Sequence, residues 1–238
     1  MLDSLFVNPE ISWSEYQRRY ASAGRVQIME FLVPSAAKEI TALVKSPLPW
    51  ILEYREAGQS RRLSEHDFKA MPAVDRASFT ARIDSLARED FQFTYFSCSL
   101  APENVGQFPA GHGVRDLAQK IVSHDFVSMM RDFIGDPAVK GLTASFTRYD
   151  PGQYLLPHDD TDLRDDRRAA YVLNLSEDWW PDWGGLLQFV DDRRNVVESF
   201  SPHNVSLAVF KVPQLHTVSY VAPYALRPRY ALTGWLIA

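Results

Sequence analysis

From Leu142 to Ile237 the chain breaks into short strand-length segments, and this run limits the fold more than any other feature. The segments are Leu142 to Tyr149, Ala170 to Leu175, Gly185 to Val190, Val196 to Phe200, Ser206 to Val212, His216 to Val221 and Tyr230 to Ile237. Turn residues separate them, among them the polar run Asp191-Asp192-Arg193-Arg194-Asn195. Strands this short and this closely spaced suit a double-sheet jelly roll. Upstream, helical patterns dominate. Residues 12–22 read as a helix with Ser12 at its N-cap, and Pro34 to Lys45 as a second with Ser35 as its cap. Ser64 to Met71, Ala73 to Glu89 and Val114 to Gly135, the last broken near Ser123, read as further helices. Val26 to Leu32, Trp50 to Arg55 and Phe91 to Leu100 read as strands. A Pro/Gly-rich loop over 101–113 follows the last of these. This segregation predicts an α+β fold: a double-stranded β-helix (jelly-roll, cupin-like) core with supporting N-terminal helices. One domain over 1–238 is expected, mostly helical with a few strands over 1–140 and carrying the β-helix core over 141–238.

Composition bounds the function. The hydrophobic fraction of 46% and the 13% of aromatic residues suit a folded chain with a substantial core. The net charge of -5, with no long basic run, argues against nucleic acid as a partner. Cys98 is the sole cysteine, so no intrachain disulfide forms, and a cytoplasmic location is expected. Met1 to Phe6 lacks the pattern of a signal peptide, and no apolar run is long enough to span a bilayer. The oligomeric state leaves no trace in the sequence.

The chemistry concentrates around Tyr149-Asp150-Pro151-Gly152-Gln153-Tyr154-Leu155-Leu156-Pro157-His158-Asp159-Asp160. In extended backbone His158 and Asp160 point to one side and Asp159 to the other. Two imidazoles and a carboxylate on one face hold Fe(II) and leave open positions for cosubstrate and O2. His216, at the start of a later strand, is the best second imidazole, and His203 in an exposed turn is its competitor. His66, His112 and His124 lie in the helical half. A bare His-x-Asp is a weak signal, and a solvated loop rich in Asp and Arg over 159–168 explains it as well; the same stretch could form a flap over the mouth. Arg229, Ala231 and Thr233 share one face of the last strand. Ala231 leaves room, Arg229 can grip a carboxylate bidentately, and Thr233 can add a hydroxyl. Arg227 is a second candidate for the same duty.

Taken in order, Tyr-x-x-Gly from Tyr149, His-x-Asp, Tyr-Val-Leu-Asn-Leu from Tyr171, Trp-Gly-Gly-Leu-Leu from Trp183, a distal His and Arg-Tyr-Ala-Leu-Thr-Gly-Trp from Arg229 form one pattern. It resembles the 2-oxoglutarate- and Fe(II)-dependent dioxygenases, in their prolyl 4-hydroxylase-like branch, over about Ser145 to Trp235. The resemblance implies that His158, Asp160 and His216 ligate iron and that Arg229 binds the distal carboxylate of 2-oxoglutarate. It also implies that Tyr149, and with it Tyr171, lines the cosubstrate pocket. Gly184-Gly185 matches a family turn whose physical reason is close backbone approach. The implied reaction is hydroxylation of a C–H bond with release of succinate and CO2, with ascorbate as a candidate reductant. A prolyl residue of a protein or peptide is the implied substrate, and a free amino acid or other small molecule the alternative. A jelly roll also serves as a non-catalytic metal- or protein-binding module, so fold alone does not decide the function. The Trp179-Trp180-Pro181-Asp182-Trp183 cluster suits either a substrate groove or core packing.

Overall fold

The computed structural model describes residues 6–162 and 164–238. Seven helices are described: α1 (Trp13–Ala23), α2 (Pro34–Val44), α3 (Glu65–Ala70), α4 (Ala73–Leu86), α5 (Pro102–Val105), α6 (Gly113–Ile121) and α7 (His124–Ile134). In the first hundred residues the strands are β1 (Arg25–Ile28), β2 (Ile51–Glu56), β3 (Gln59–Ser64) and β4 (Phe93–Ser99). The later strands are β5 (Gly141–Leu142), β6 (Ser145–Tyr149), β7 (Tyr154–His158), β8 (Arg167–Asn174), β9 (Leu187–Val190), β10 (Val196–Phe200), β11 (Leu207–Lys211), β12 (His216–Val218) and β13 (Arg229–Ile237).

Local chemistry explains most boundaries. Gly24 ends α1 in the left-handed region, φ 70°, with its N–H on the Tyr20 carbonyl. The break expected near Ser123 is real: its hydroxyl accepts from the Phe126 N–H and starts α7 as a new helix. Two expected caps are corrected. Ser12 occupies the N-cap position of α1 without a side-chain bond, and α2 begins at Pro34, so Ser35 sits inside the first turn. The strand expected to reach Leu32 stops at Ile28, because Glu30 takes φ 50° and turns the chain. Three short elements were hidden: the polar strand β3, β7 with its proline, and α5 within the Pro/Gly-rich loop.

All named pairings are antiparallel, and the order is β1-β11-β8-β13-β6-β4-β7-β12-β9-β10. The eight strands β6 to β13 form two four-stranded layers, β11-β8-β13-β6 and β7-β12-β9-β10. This is the double-stranded β-helix the strand spacing predicts. β4 bridges the layers by pairing with both β6 and β7, and β1 extends the first layer beyond β11. Alternation then sorts the side chains. Ala169 and Leu173 of β8 join the main core under the helices, with Phe31, Ile40, Leu117 and Met130. Ala170, in the same strand, packs inside the barrel with Leu187, Phe189, Ala208 and Phe210. Arg148 on β6 fastens α3 to the barrel: it pairs with Glu65 at 2.7 Å and Asp150 at 2.8 Å, and its guanidinium lies 4.2 Å from the centre of the Phe96 ring. Among the described residues no helix is long and apolar enough to cross a membrane.

Candidate metal centre

The barrel register brings the two histidines together. β7 and β12 pair with His158 directly opposite His216, and the ring centres lie 4.2 Å apart. Each Nδ1 faces a main-chain carbonyl two residues upstream: Leu156 at 3.0 Å for His158 and Gln214 at 2.7 Å for His216. A donor hydrogen bond there leaves Nε2 as the free lone pair, the usual support for a metal-ligating imidazole. Asp160 completes the group. Its Oδ1 lies 3.4 Å from His158 Nε2 and its Oδ2 3.5 Å from His216 Nε2. One donor atom from each of the three side chains falls within 4.8 Å of the others, close enough to share one ion.

Asp160 reaches this place differently from the sequence expectation. It does not continue the extended backbone of His158; it lies past the end of β7 with φ 63°. Asp tolerates that region better than most residues because its short side chain can bond locally. Burial works to raise the Asp160 carboxyl, but the hydrogen bond to His158 and the charges of His216 and His158 outweigh it and hold it low. Burial, reinforced by the neighbouring His158, pushes His216 down to about 4. The imidazole is therefore neutral at ordinary pH, the form that binds a metal.

Arg229 stands at the start of β13 and is 2% exposed. Its Nη2 donates to Asn174 Oδ1 at 3.3 Å, and its guanidinium carbon lies 5.3 Å from the centre of the Tyr149 ring. Its Nε has no partner, and it forms no ion pair among the described residues. Burial presses its pKa down, the sign of a cation without its counter-ion. The cavity it lines also holds His158, Asp160 and His216. An orphaned buried guanidinium next to a triad of metal donors fits a small dicarboxylate that chelates an ion at one end and needs a cation at the other. Arg227, the alternative, is exposed and donates to Glu177 O and to Asp178 Oδ2 at 3.4 Å.

The remaining candidates divide. Tyr149 is buried, stacked on Tyr95 with ring centres 5.2 Å apart, and lines the cavity. Tyr171 borders the cavity, but its side chain packs in the main core with Ala169 and Leu173, and its hydroxyl donates to the Thr143 carbonyl at 2.7 Å. Thr233 lines the cavity, and its hydroxyl has the Ser145 carbonyl 3.5 Å away. Gly184 and Gly185 take φ 68° and 64°; a Cβ on Gly184 would stand 2.0 Å from the Tyr220 carbonyl oxygen, and one on Gly185 3.0 Å from Arg229 Cδ. The glycine pair is thus the turn that lets the Arg229 stem lie flat. Of the tryptophan cluster, Trp183 is buried with Tyr149, Val218 and Val221 and Trp179 packs against them, so these two are core, while Trp180 is exposed. In the stretch proposed as a flap, Leu163 lies outside the described residues; Asp162 is engaged by Arg164 and Arg167. His203 is exposed and outside the cluster; His66 in α3, His124 in α7 and His112, which caps α6, also lie outside it.

The sequence reading gave no role to Tyr95 and Trp235, which line the cavity, or to Asn174, which accepts from Arg229. Tyr95 could have been found, because Phe93 and Tyr95 alternate on one face of β4 and Phe91 just before the strand continues their ring contacts. Asn174 stands in the Tyr-Val-Leu-Asn-Leu motif, but no role followed from that; its Oδ1 becomes relevant only when β8 pairs with β13 opposite Ala231.

A nearly closed double-stranded β-helix with a half-buried two-histidine, one-carboxylate face and a buried arginine that has no counter-ion among the described residues has the form of a metal- and anion-binding jelly roll of the non-haem iron kind. Residues 144–237, the barrel segment, match the family model of the 2OG-Fe(II) oxygenase superfamily. A prolyl 3-hydroxylase of Drosophila melanogaster, sudestada1, is 34% identical over 107 residues, which cover 40% of this chain and 19% of that protein. The chain thus spans about a fifth of the length of that curated relative. The fold is shared with a Pseudomonas putida prolyl-4-hydroxylase, at TM-score 0.55 and 18% identity over 94% of this chain and 98% of that one. It is shared equally with a Trichoplax adhaerens prolyl hydroxylase, solved with a hypoxia inducible factor peptide fragment, at TM-score 0.61 and 18% identity over 94% and 88%.

Proposed function

We propose that this chain is an Fe(II)- and 2-oxoglutarate-dependent dioxygenase that hydroxylates a C–H bond, with a prolyl residue of a protein or peptide as substrate, releasing succinate and CO2. The observation that carries the reading is the pairing of two half-sites in one cavity: three converging metal donors and a buried arginine without an anion. The prolyl substrate is supported by the 34% identical prolyl 3-hydroxylase segment, and a peptide is the natural form in which prolyl residues are met.

In this reading His158, Asp160 and His216 would hold the iron. Iron, 2-oxoglutarate and O2 together supply the oxidising power for C–H hydroxylation, which no side chain has. Arg229 pairs with the distal carboxylate of 2-oxoglutarate, and Asn174 orients the guanidinium through Nη2. The ring of Tyr149 and the apolar lining from Leu187, Phe210 and Val218 keep bulk water from the cosubstrate.

Anaerobic titration of the purified protein with Fe(II) and 2-oxoglutarate tests the site. A visible charge-transfer band of the chelate is expected in the wild type and absent in His158→Ala. Succinate release stimulated by proline-containing peptides, with a mass gain of one oxygen on proline, tests the substrate. Folded protein with no band would remove the oxygenase reading; a band without peptide turnover would leave the cofactors and remove the prolyl substrate.

A further inference from the structure

Asp160 needs a support that the two histidines do not. Each histidine sits in paired strand backbone, with a carbonyl fixing its ring. Asp160 follows the strand in a left-handed bend, φ 63°, and a bend free to relax would carry its carboxylate away from the imidazoles. Arg167 grips that bend. Its Nη1 donates to the Asp160 main-chain carbonyl at 3.2 Å, and its Nη2 to Asp162 Oδ2 at 3.1 Å on the same loop. The guanidinium carbon lies 3.9 Å from the centre of the Trp235 ring, and Trp235 forms part of the cavity wall. Arg167 is the first residue of β8 and its side chain is 15% exposed. One planar group therefore ties the ligand loop to two strands of the barrel.

We propose that Arg167, stacked on Trp235, is the positioning residue for the carboxylate ligand. It holds the Asp160 backbone so that both carboxylate oxygens face the two Nε2 atoms before any ion arrives. The inference rests on the reading of Asp160 as a metal ligand. It requires arginine in particular. A planar guanidinium stacks on the indole and donates in its own plane to two separate oxygens, whereas a lysine ammonium offers a point charge without a stacking plane. A purely structural anchor would act on stability and leave metal affinity alone. A support for the ligand moves metal affinity by about 10- to 100-fold, the range seen for groups that orient metal ligands from behind.

Mn(II) affinity, measured by calorimetry on the full chain, and the visible absorption of bound Co(II) separate these roles. The variants are Arg167→Lys, Arg167→Ala, Trp235→Leu and, as control, Arg168→Ala. Arg168 is one residue further on and engages Asp136 and Asp166 instead. Affinity is expected to fall about tenfold or more in both Arg167 variants, with an altered cobalt spectrum, and by a smaller factor in Trp235→Leu. Arg168→Ala is expected to keep wild-type affinity whatever happens to its melting temperature. Should Arg167→Ala fail to fold, Arg167→Lys and Trp235→Leu carry the test. Wild-type affinity and an unchanged cobalt spectrum in folded Arg167→Lys would overturn the proposal while leaving the metal site intact. A wild-type chain that binds neither ion would overturn the metal site itself, and the support with it.

Discussion

Two residues in the cavity carry charge behaviour that can be measured. Arg229 is a buried cation without an anion, so its removal affects whatever anion completes it. Arg229→Ala is expected to raise the 2-oxoglutarate requirement roughly 10- to 100-fold, about the 1.5–3 kcal/mol of a hydrogen bond to a charged group, while Fe(II) binding survives. Arg227→Ala should leave that requirement near wild type; the reverse result would move the cosubstrate anchor to Arg227. His216 titrates near 4 in the folded chain against an ordinary 6.5. Between those values the unfolded chain binds the extra proton, so stability is full above about 6.5 and is lost as pH falls towards 4. The melting temperature of metal-free wild type should therefore drop across this window more steeply than that of His216→Gln. Parallel profiles would show that burial of this imidazole does not govern the acid limb.

At the scale of elements, close approach of backbones decides which turns and strands tolerate a side chain. Gly234 lies mid-strand in β13, where a Cβ would stand 1.9 Å from the Thr143 carbonyl oxygen and 2.9 Å from the Tyr171 ring. Neither neighbour can give way without moving β13, the strand that also begins with Arg229. Gly234→Ala is expected to destabilise by at least the ~1–3 kcal/mol of an overpacked core. Gly141→Ala, where a Cβ meets nothing within 4 Å, should leave stability unchanged or slightly raised. Paired melts of the two variants check this; equal melting temperatures would contradict the packing. The strands hardest to see in the sequence fail the period-2 rule for a reason visible in their neighbours. β3 is polar because it is the outer strand of a hairpin on β2. β7 is cut to five residues and holds a proline, yet pairs with both β4 and β12.

At the scale of the molecule, the two halves of the chain are not separate layers. β4 lies between β6 and β7, and β1 pairs with β11. Helical residues such as Ile40, Leu117 and Met130 share a core with Leu173 and Leu232 of the barrel. A fragment of residues 141–238 would expose that core face and three strand edges at once, those of β6, β7 and β11. It is expected to lack a cooperative thermal transition and to aggregate, while the full chain melts in one step. A soluble fragment with wild-type-like circular dichroism and a sharp transition would show that the barrel closes without its N-terminal strands.

The sequence by itself determined the class of fold and the chemistry of its site. Short alternating strands after Leu142 demand a double sheet, because period-2 apolar faces must be buried against one another. The types and order of His158, Asp160, His216 and Arg229 limit what such a barrel can bind. The preference for Arg229 over Arg227 was legible too, because Pro228 keeps Arg227 in the loop; tertiary structure added that Arg229 is buried without an ion-pair partner among the described residues. It decided that Asp160 arrives through a left-handed bend held by Arg167 rather than along an extended strand. It also drew Tyr95 and Trp235 into the cavity wall and set Asn174 against Arg229. These outcomes depend on register between strands far apart in the chain, and register is settled only when the faces of the barrel pack and the last buried polar group finds its partner.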